Sequence, residues 1–181
     1  MKIISGFLKG RILKGHNIEG TRPTMDRVKE SLFAMLQNDI RDSVVLDLFS
    51  GSGNLGIESI SNGSKLCYFN DINKTCIKVI NDNIRLFDIN DNSIVLNKSW
   101  QECLKYLNNL GVKLDIIFLD PPYKMDCLNE VIRKIIDYDL LKDNALIVCE
   151  VSSEYLNDLE SLEKIKSRKY GDKFIIIYRN K

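Results

Sequence analysis

Nowhere in these 181 residues does an apolar run approach the roughly 18 that a membrane helix requires. No long apolar segment opens the chain either, so neither membrane insertion nor secretion is expected. Cysteine is confined to Cys67, Cys76, Cys103, Cys127 and Cys149, odd in number, widely spaced and without a C-x-x-C pair. That pattern speaks against a disulfide framework or a zinc site, and for reduced thiols in a cytoplasmic protein. Histidine occurs once, as His16 in a glycine-bearing loop from Gly15 to Gly20. A lone loop histidine is more often solvated than catalytic, and no role is assigned to it. Internal repeats and low-complexity linkers are absent, and the length suits one domain able to bury a substantial core.

The net charge of +1 hides an asymmetry. Residues 1–29 carry seven Lys/Arg against two Asp/Glu, and residues 164–181 carry seven against one. The remainder holds 12 basic and 22 acidic residues. Two basic ends on an acidic body point to a local polyanion contact rather than general coating of nucleic acid. Ordinary surface lysines would give the same count.

What is present is organised around Asp47-Leu48-Phe49-Ser50-Gly51-Ser52-Gly53-Asn54-Leu55-Gly56. An apolar run (Val44, Val45, Leu46) precedes it and a helical pattern with Ile57 and Ile60 follows. Strand, glycine turn and helix in that order form the nucleotide-cradling unit of an open α/β sheet. Asp71 closes a second apolar run, where an acid binds ribose hydroxyls. NAD and S-adenosylmethionine both carry a ribose, so Asp71 does not separate them. Asp120-Pro121-Pro122-Tyr123 does, at the end of a third run, Ile116 to Leu119. A dehydrogenase has no use for that corner, whereas methylation of an exocyclic amine has. The Asp120 carboxylate and the Pro121 carbonyl can each accept one amine hydrogen, Pro121 and Pro122 contribute no competing N–H, and Tyr123 offers a stacking ring.

From residue 43 the pattern alternates: strands at 44–48, 66–70, 93–97, 114–119 and 144–150, with helices at 54–62, 73–86, 100–110 and 126–137. Continuous apolar strands between amphipathic helices imply a parallel sheet covered on both faces. A short helix near 154–160 precedes runs at 162–169 and 173–179, which flank Tyr170-Gly171-Asp172 as a hairpin. The expected fold is α/β, the class I methyltransferase (Rossmann-like) architecture, a seven-stranded mostly parallel sheet ending in an antiparallel hairpin. In front lie two short strands within residues 1–14, turning near Gly6 to Gly10, and a helix from Thr24 to about Gln37. Capping accounts for Thr24 and Asp26 without any function. It does not account for Arg22, held extended before Pro23.

Four segments resemble the bacterial ribosomal small-subunit RNA guanine-N2 methyltransferases: Ile-Ser-Gly…Lys-Gly-Arg (4–11), Thr-Arg-Pro-Thr-x-Asp-Arg-Val-Lys-Glu (21–30), the glycine turn (47–56) and Asp-Pro-Pro-Tyr (120–123). The N-terminal Arg-Pro-Thr segment is the specific part. The resemblance implies one methyltransferase domain over 1–181, with 1–40 docking RNA and 41–181 as catalytic core. It implies an enzyme that modifies one guanine of small-subunit rRNA, within an assembled or assembling particle; a monomer without a metal is expected. S-Adenosyl-L-methionine would lie against Phe49, Ser50, Gly51 and Gly53, with Asp47 near its methionine moiety, Asp71 on the ribose and Ile72 against the adenine. After the third strand the family commonly has Asp or Asn followed by Ala. Here Asn97-Lys98-Ser99-Trp100 offers Ser99 as an acceptor, while Trp100 either flanks the adenine or packs beneath the helix. Asp47 is equally readable as a turn-stabilising carboxylate. Lys9, Arg11, Lys14 and Arg22 are the expected RNA contacts.

Three other readings stay open. A DNA adenine-N6 methyltransferase shares the Asp-Pro-Pro-Tyr corner, but usually adds a recognition domain for which this chain has no room. An NAD-dependent oxidoreductase built on Gly51-x-Gly53-x-x-Gly56 leaves 120–123 unexplained. A non-catalytic RNA-binding module leaves the glycine turn unexplained.

Overall fold

Five apolar runs become β1 (Val44–Asp47), β2 (Leu66–Asn70), β3 (Ser93–Leu96), β4 (Leu114–Leu119) and β5 (Leu141–Val151). The C-terminal hairpin is β6 (Leu162–Tyr170) and β7 (Lys173–Asn180). All seven join one sheet in the order β3-β2-β1-β4-β5-β7-β6. The neighbours among β1 to β5 pair in parallel, whereas β7 runs antiparallel to both β5 and β6. The expected architecture is therefore observed. This computed structural model describes residues 1–15, 26–122, 127–152 and 160–181. The helix expected near 154–160 lies largely outside them, as do His16, Arg22 and Tyr123. Among the described residues no helix is long and apolar enough to cross a membrane.

Among the described residues α1 (Asp26–Leu36) precedes β1, and α2 (Asn54–Ser61), α3 (Lys74–Phe87), α4 (Trp100–Asn109) and α5 (Leu128–Asp137) connect successive strands from β1 to β5. Strand side chains alternate between two faces, and each face meets its own helices. Leu46, Ile117, Ile147 and Ile176 pack with Cys103, Leu104 and Leu107 of α4 and Val131, Ile132 and Ile135 of α5. Their neighbours Val45, Ile116, Phe118, Val148 and Ile175 pack with Leu32 and Phe33 of α1, Ile57 of α2 and Ile80 and Ile84 of α3. α3 starts at Asn73, whose side chain accepts from the Thr75 amide, and α4 starts with a capping box between Ser99 and Glu102.

Two boundaries differ from the sequence expectation. β5 begins at Leu141 rather than 144, since Leu141 already pairs with Leu114 before a register shift. Asn144 takes a left-handed φ of 63° there and exposes Lys142, Asp143 and Asn144, which breaks the apolar run that marks a strand. The N-terminal ribbon is reduced to one antiparallel bridge, Lys2 to Ile12. Its loop is held by α2 instead: the Phe7 amide donates to Ser61 O and the Leu8 amide to Ser61 Oγ, both at 2.9 Å. Ile3, Leu8 and Leu13 point inward and join the core of α1 to α3.

A buried ion pair locks this corner. Lys29 of α1 and Glu58 of α2 are fully buried and 3.1 Å apart. Lys29 Nζ also donates to Lys2 O (2.6 Å) and Asn54 Oδ1 (2.9 Å). Glu58 Oε1 accepts from the amides of Ile4 (3.1 Å) and Ser5 (2.8 Å) and from Ser5 Oγ (2.8 Å). All three ammonium hydrogens are thus used, which is the condition under which such a pair survives burial.

Candidate active site

The glycine turn leaves β1 at Asp47 and enters α2 at Asn54. Gly51 and Gly53 take φ values of 54° and 81°, a backbone that a side chain would strain. Gly56 is needed for a different reason: a Cβ there would stand 2.3 Å from Phe69 Cε1, so helix and strand touch only because it is absent. Ser50 is buried and latches two strand ends, donating to Asp47 O (2.6 Å) and accepting from the Asn70 amide (3.0 Å). Phe49 is half-buried against the α4–α5 side of the core.

Asp47 is buried and its Oδ2 accepts from the Gly56 amide at 3.0 Å, so it does stabilise the turn. Burial pushes its carboxyl from 3.8 up to about 7, against the Gly56 N–H, and the Asp120 and Asp71 carboxylates add to the rise. Asp71 reaches back across the turn. Its Oδ2 accepts from the Gly51 amide (2.9 Å) and its Oδ1 from the Asn73 amide (2.8 Å). Asn97 holds the same loop by donating to Asp71 O (2.8 Å) and Ile72 O (3.0 Å). Ile72 itself is 71% exposed, an apolar side chain standing beside the turn with little protein over it.

Ser99 and Trp100 have structural employment. The Ser99 hydroxyl accepts from the Glu102 amide (3.2 Å) and donates to Glu102 Oε2 (2.8 Å). Trp100 is buried in the core with Leu48, Tyr68, Leu96 and Leu104, which is the packing alternative of the sequence reading. Asp120 leaves the C-terminal end of β4, next to β1 in the sheet, and Pro121 and Pro122 continue at the surface. Burial pushes the Asp120 carboxyl from 3.8 up to about 6, with the Lys173 ammonium pulling the other way. Lys173, at the start of β7, pairs with Glu150 near the end of β5. The sheet thus brings Asp47, Asp71 and Asp120 to one edge, where each sits at the C-terminal end of its strand.

Lys9, Arg11 and Lys14 are all exposed on the N-terminal segment, some distance along the chain from the turn. Arg11 is not idle: its Nη2 donates to Leu86 O (3.2 Å) and its guanidinium lies 5.3 Å from the Phe87 ring centroid. Lys29, Glu58, Glu150 and Lys173 lie outside the site residues expected from the sequence. For Glu58 a signal existed, a carboxylate on a short helix between apolar Ile57 and Ile60 with no basic residue on that helix. Glu150 and Lys173 are 23 residues apart in sequence and only β5–β7 pairing joins them.

The family described as conserved hypothetical protein 95 matches residues 1–179. The ribosomal RNA small subunit methyltransferase D of Haemophilus influenzae is 37% identical over 155 residues, covering 85% of this chain and 80% of that one. The solved structure of yhhF from Escherichia coli superposes with a TM-score of 0.89 at 26% identity, covering 100% of this chain and 98% of that one. A more distant RNA methyltransferase from Salinibacter ruber shares the fold (TM-score 0.66, 15% identity, 87% and 93% covered) and was solved with S-adenosyl-L-homocysteine bound. The chain belongs to the conserved hypothetical protein 95 family, alongside the ribosomal RNA small subunit methyltransferases D and on the class I methyltransferase fold.

Proposed function

We propose that the protein methylates the exocyclic N2 amine of a guanine in small-subunit ribosomal RNA, using S-adenosyl-L-methionine. The observation that carries this reading is the Asp120-Pro121-Pro122 corner beside the glycine turn, on adjacent strands β4 and β1. The residues suit that cofactor. Gly51 and Gly53 leave room for it, Asp71 keeps lone pairs beyond its two backbone contacts for ribose hydroxyls, and exposed Ile72 offers an apolar face to an adenine. The Asp120 and Asp71 carboxylates both act on Asp47, and such a cluster suits a ligand that carries a sulfonium and an ammonium. Asp47 serves both roles that the sequence left open, holding the turn while lending charge to the methionine end. Ser99 and Trp100 are read as bounding the adenine pocket through the start of α4.

When bound, S-adenosylmethionine supplies an electrophilic methyl group on a sulfonium that is already positive, so the chemistry calls for no metal. The chain's part is to hold the amine. Guanine N2 is delocalised into its ring and is a poor nucleophile. Asp120 and the Pro121 carbonyl, each accepting one amine hydrogen, draw the nitrogen toward tetrahedral geometry and aim its lone pair. Tyr123 is proposed to stack on the extruded base. Lys9, Lys14, Arg22 and, in part, Arg11 are proposed to grip the RNA backbone, in a single domain acting as a monomer in the cytoplasm on an assembled or assembling subunit. The test is tritium transfer to small ribosomal subunits and to duplex DNA, followed by nucleoside analysis. N2-methylguanosine from subunits is expected. N6-methyladenosine, or transfer to DNA alone, would overturn the assignment.

A further inference from the structure

We propose that Asp120, Glu150 and Lys173 form a row that reads the base-pairing edge of guanine, with Asp120 on the N2 amine, Glu150 on N1–H and Lys173 on O6. The proposal rests on the reading above and adds the residues that would select the base. The strand order β4-β5-β7 sets the sequence of the three groups across the sheet. Leu119 is paired with Cys149, so Asp120 and Glu150 leave their strands side by side. Glu150 in turn pairs with Ile175, two residues from Lys173. Phe118, Val148 and Ile175 pack on one face, and a step of two along each strand carries Asp120, Glu150 and Lys173 to that same face. Lys173 sits near enough to Asp120 to lower its raised carboxyl.

The chemistry of the row matches one base. Along its pairing edge guanine presents an amine, an N–H and a carbonyl, which need two acceptors and then a donor. A carboxylate, a carboxylate and an ammonium supply that order. Adenine presents a bare N1 and an amine where guanine has N1–H and O6. Glu150 would then face a lone pair and Lys173 a competing donor, both repulsive. The Glu150–Lys173 pair is largely withdrawn from water, with side chains 7% and 18% exposed. Such pairs contribute little net stability compared with apolar residues of the same volume, which directs attention to a role in recognition. An ammonium has three donors and a carboxylate about four lone-pair sites, so neither group is limited to one partner.

The test uses small-subunit rRNA that carries either guanine or 2-aminopurine at the methylated position. 2-Aminopurine keeps the N2 amine but lacks O6 and N1–H. K173M should lower kcat/KM on guanine by about tenfold or more and change it less than about twofold on 2-aminopurine. E150Q should narrow the preference of the enzyme for guanine over 2-aminopurine, because an amide can donate to the bare N1. The double variant E150Q/K173M loses both charges together and leaves no orphaned buried ion, so it guards against a result that merely reports misfolding. Its S-adenosylmethionine affinity should match the wild type. If the variants lower both substrates equally, or leave guanine unaffected, the pair is only a strut between β5 and β7 and the proposal fails. If the wild-type enzyme produces no N2-methylguanosine at all, it is the functional reading that fails.

Discussion

Two carboxyl groups at the C-terminal edge of the sheet, Asp47 and Asp120, titrate above the ordinary carboxylate range, at about 7 and about 6. An acid raised by burial holds a proton in the folded protein that the unfolded chain has already released. For Asp47 the associated stability is complete below its ordinary 3.8 and is lost as pH rises through about 7. Asp47→Asn keeps an acceptor for the Gly56 amide and removes the buried charge. It should therefore raise the unfolding free energy of the ligand-free protein near pH 8 by on the order of 2–4 kcal/mol and flatten the slope between about pH 4 and 7, read by chemical denaturation. An unchanged slope would show that Asp47 is not the titrating group. Asp120 must be ionised to accept an amine hydrogen, so kcat/KM for RNA should climb through about pH 6. Asp120→Ala should abolish turnover with cofactor affinity nearly intact, and retention of more than about a tenth of kcat would contradict its role. Cys103 and Cys149, pushed up to about 12 by burial, stay protonated.

At the scale of elements, α2 is the hub. Its N-terminal end receives the glycine turn, Glu58 and Asn54 hold Lys29 of α1, and its last turn grips residues 5–8. The segment expected to dock RNA is therefore fastened to the helix that follows the glycine turn. Lys29→Met leaves Glu58 charged and buried, and should cost about 3–5 kcal/mol by denaturant unfolding, with Lys29→Met/Glu58→Gln recovering much of the loss. A loss below about 1 kcal/mol would mean that water reaches the pair. Gly6 touches the other end of α2: a Cβ there would stand 1.8 Å from Ser61 O, at a φ of +74°. Gly6→Ala should lift the N-terminal loop off α2, lowering activity on ribosomal subunits while S-adenosylmethionine affinity, measured by calorimetry, changes little. β6, the outer strand of the sheet, is lined with exposed Lys164, Lys166, Arg168 and Lys169, charges that discourage pairing with a second sheet.

For the whole molecule the division of charge matters more than its sum. The acidic body carries the sheet edge of Asp47, Asp71 and Asp120, and the excess of basic residues lies in residues 1–29 and 164–181. Replacing Lys9, Arg11 and Lys14 with Ala should weaken binding to small ribosomal subunits and make it less dependent on salt, since each cation withdrawn from a phosphate lowers the slope. Arg11 should account for the smallest share, because it already donates to Leu86 O and lies over Phe87. Binding that is normal across the salt range would make this surface merely solvated and move the docking face to Lys164–Lys181.

By itself the sequence determined the sheet and its helices. Continuous Val, Ile and Leu runs separated by amphipathic repeats admit little besides a covered parallel sheet, and glycine turns and paired prolines mark their own geometry locally. The same local signals placed Asp47, Asp71 and Asp120 at strand ends. Only the tertiary structure decided which side chains meet. Lys29 finds Glu58 because α1 and α2 share one face of the sheet, and Glu150 finds Lys173 because β7 turns back against β5. It likewise sent Trp100 into the core and tied Arg11 to α3. Propensity and periodicity act over a few residues, whereas a buried charge is satisfied by whatever the fold brings to it across tens of residues.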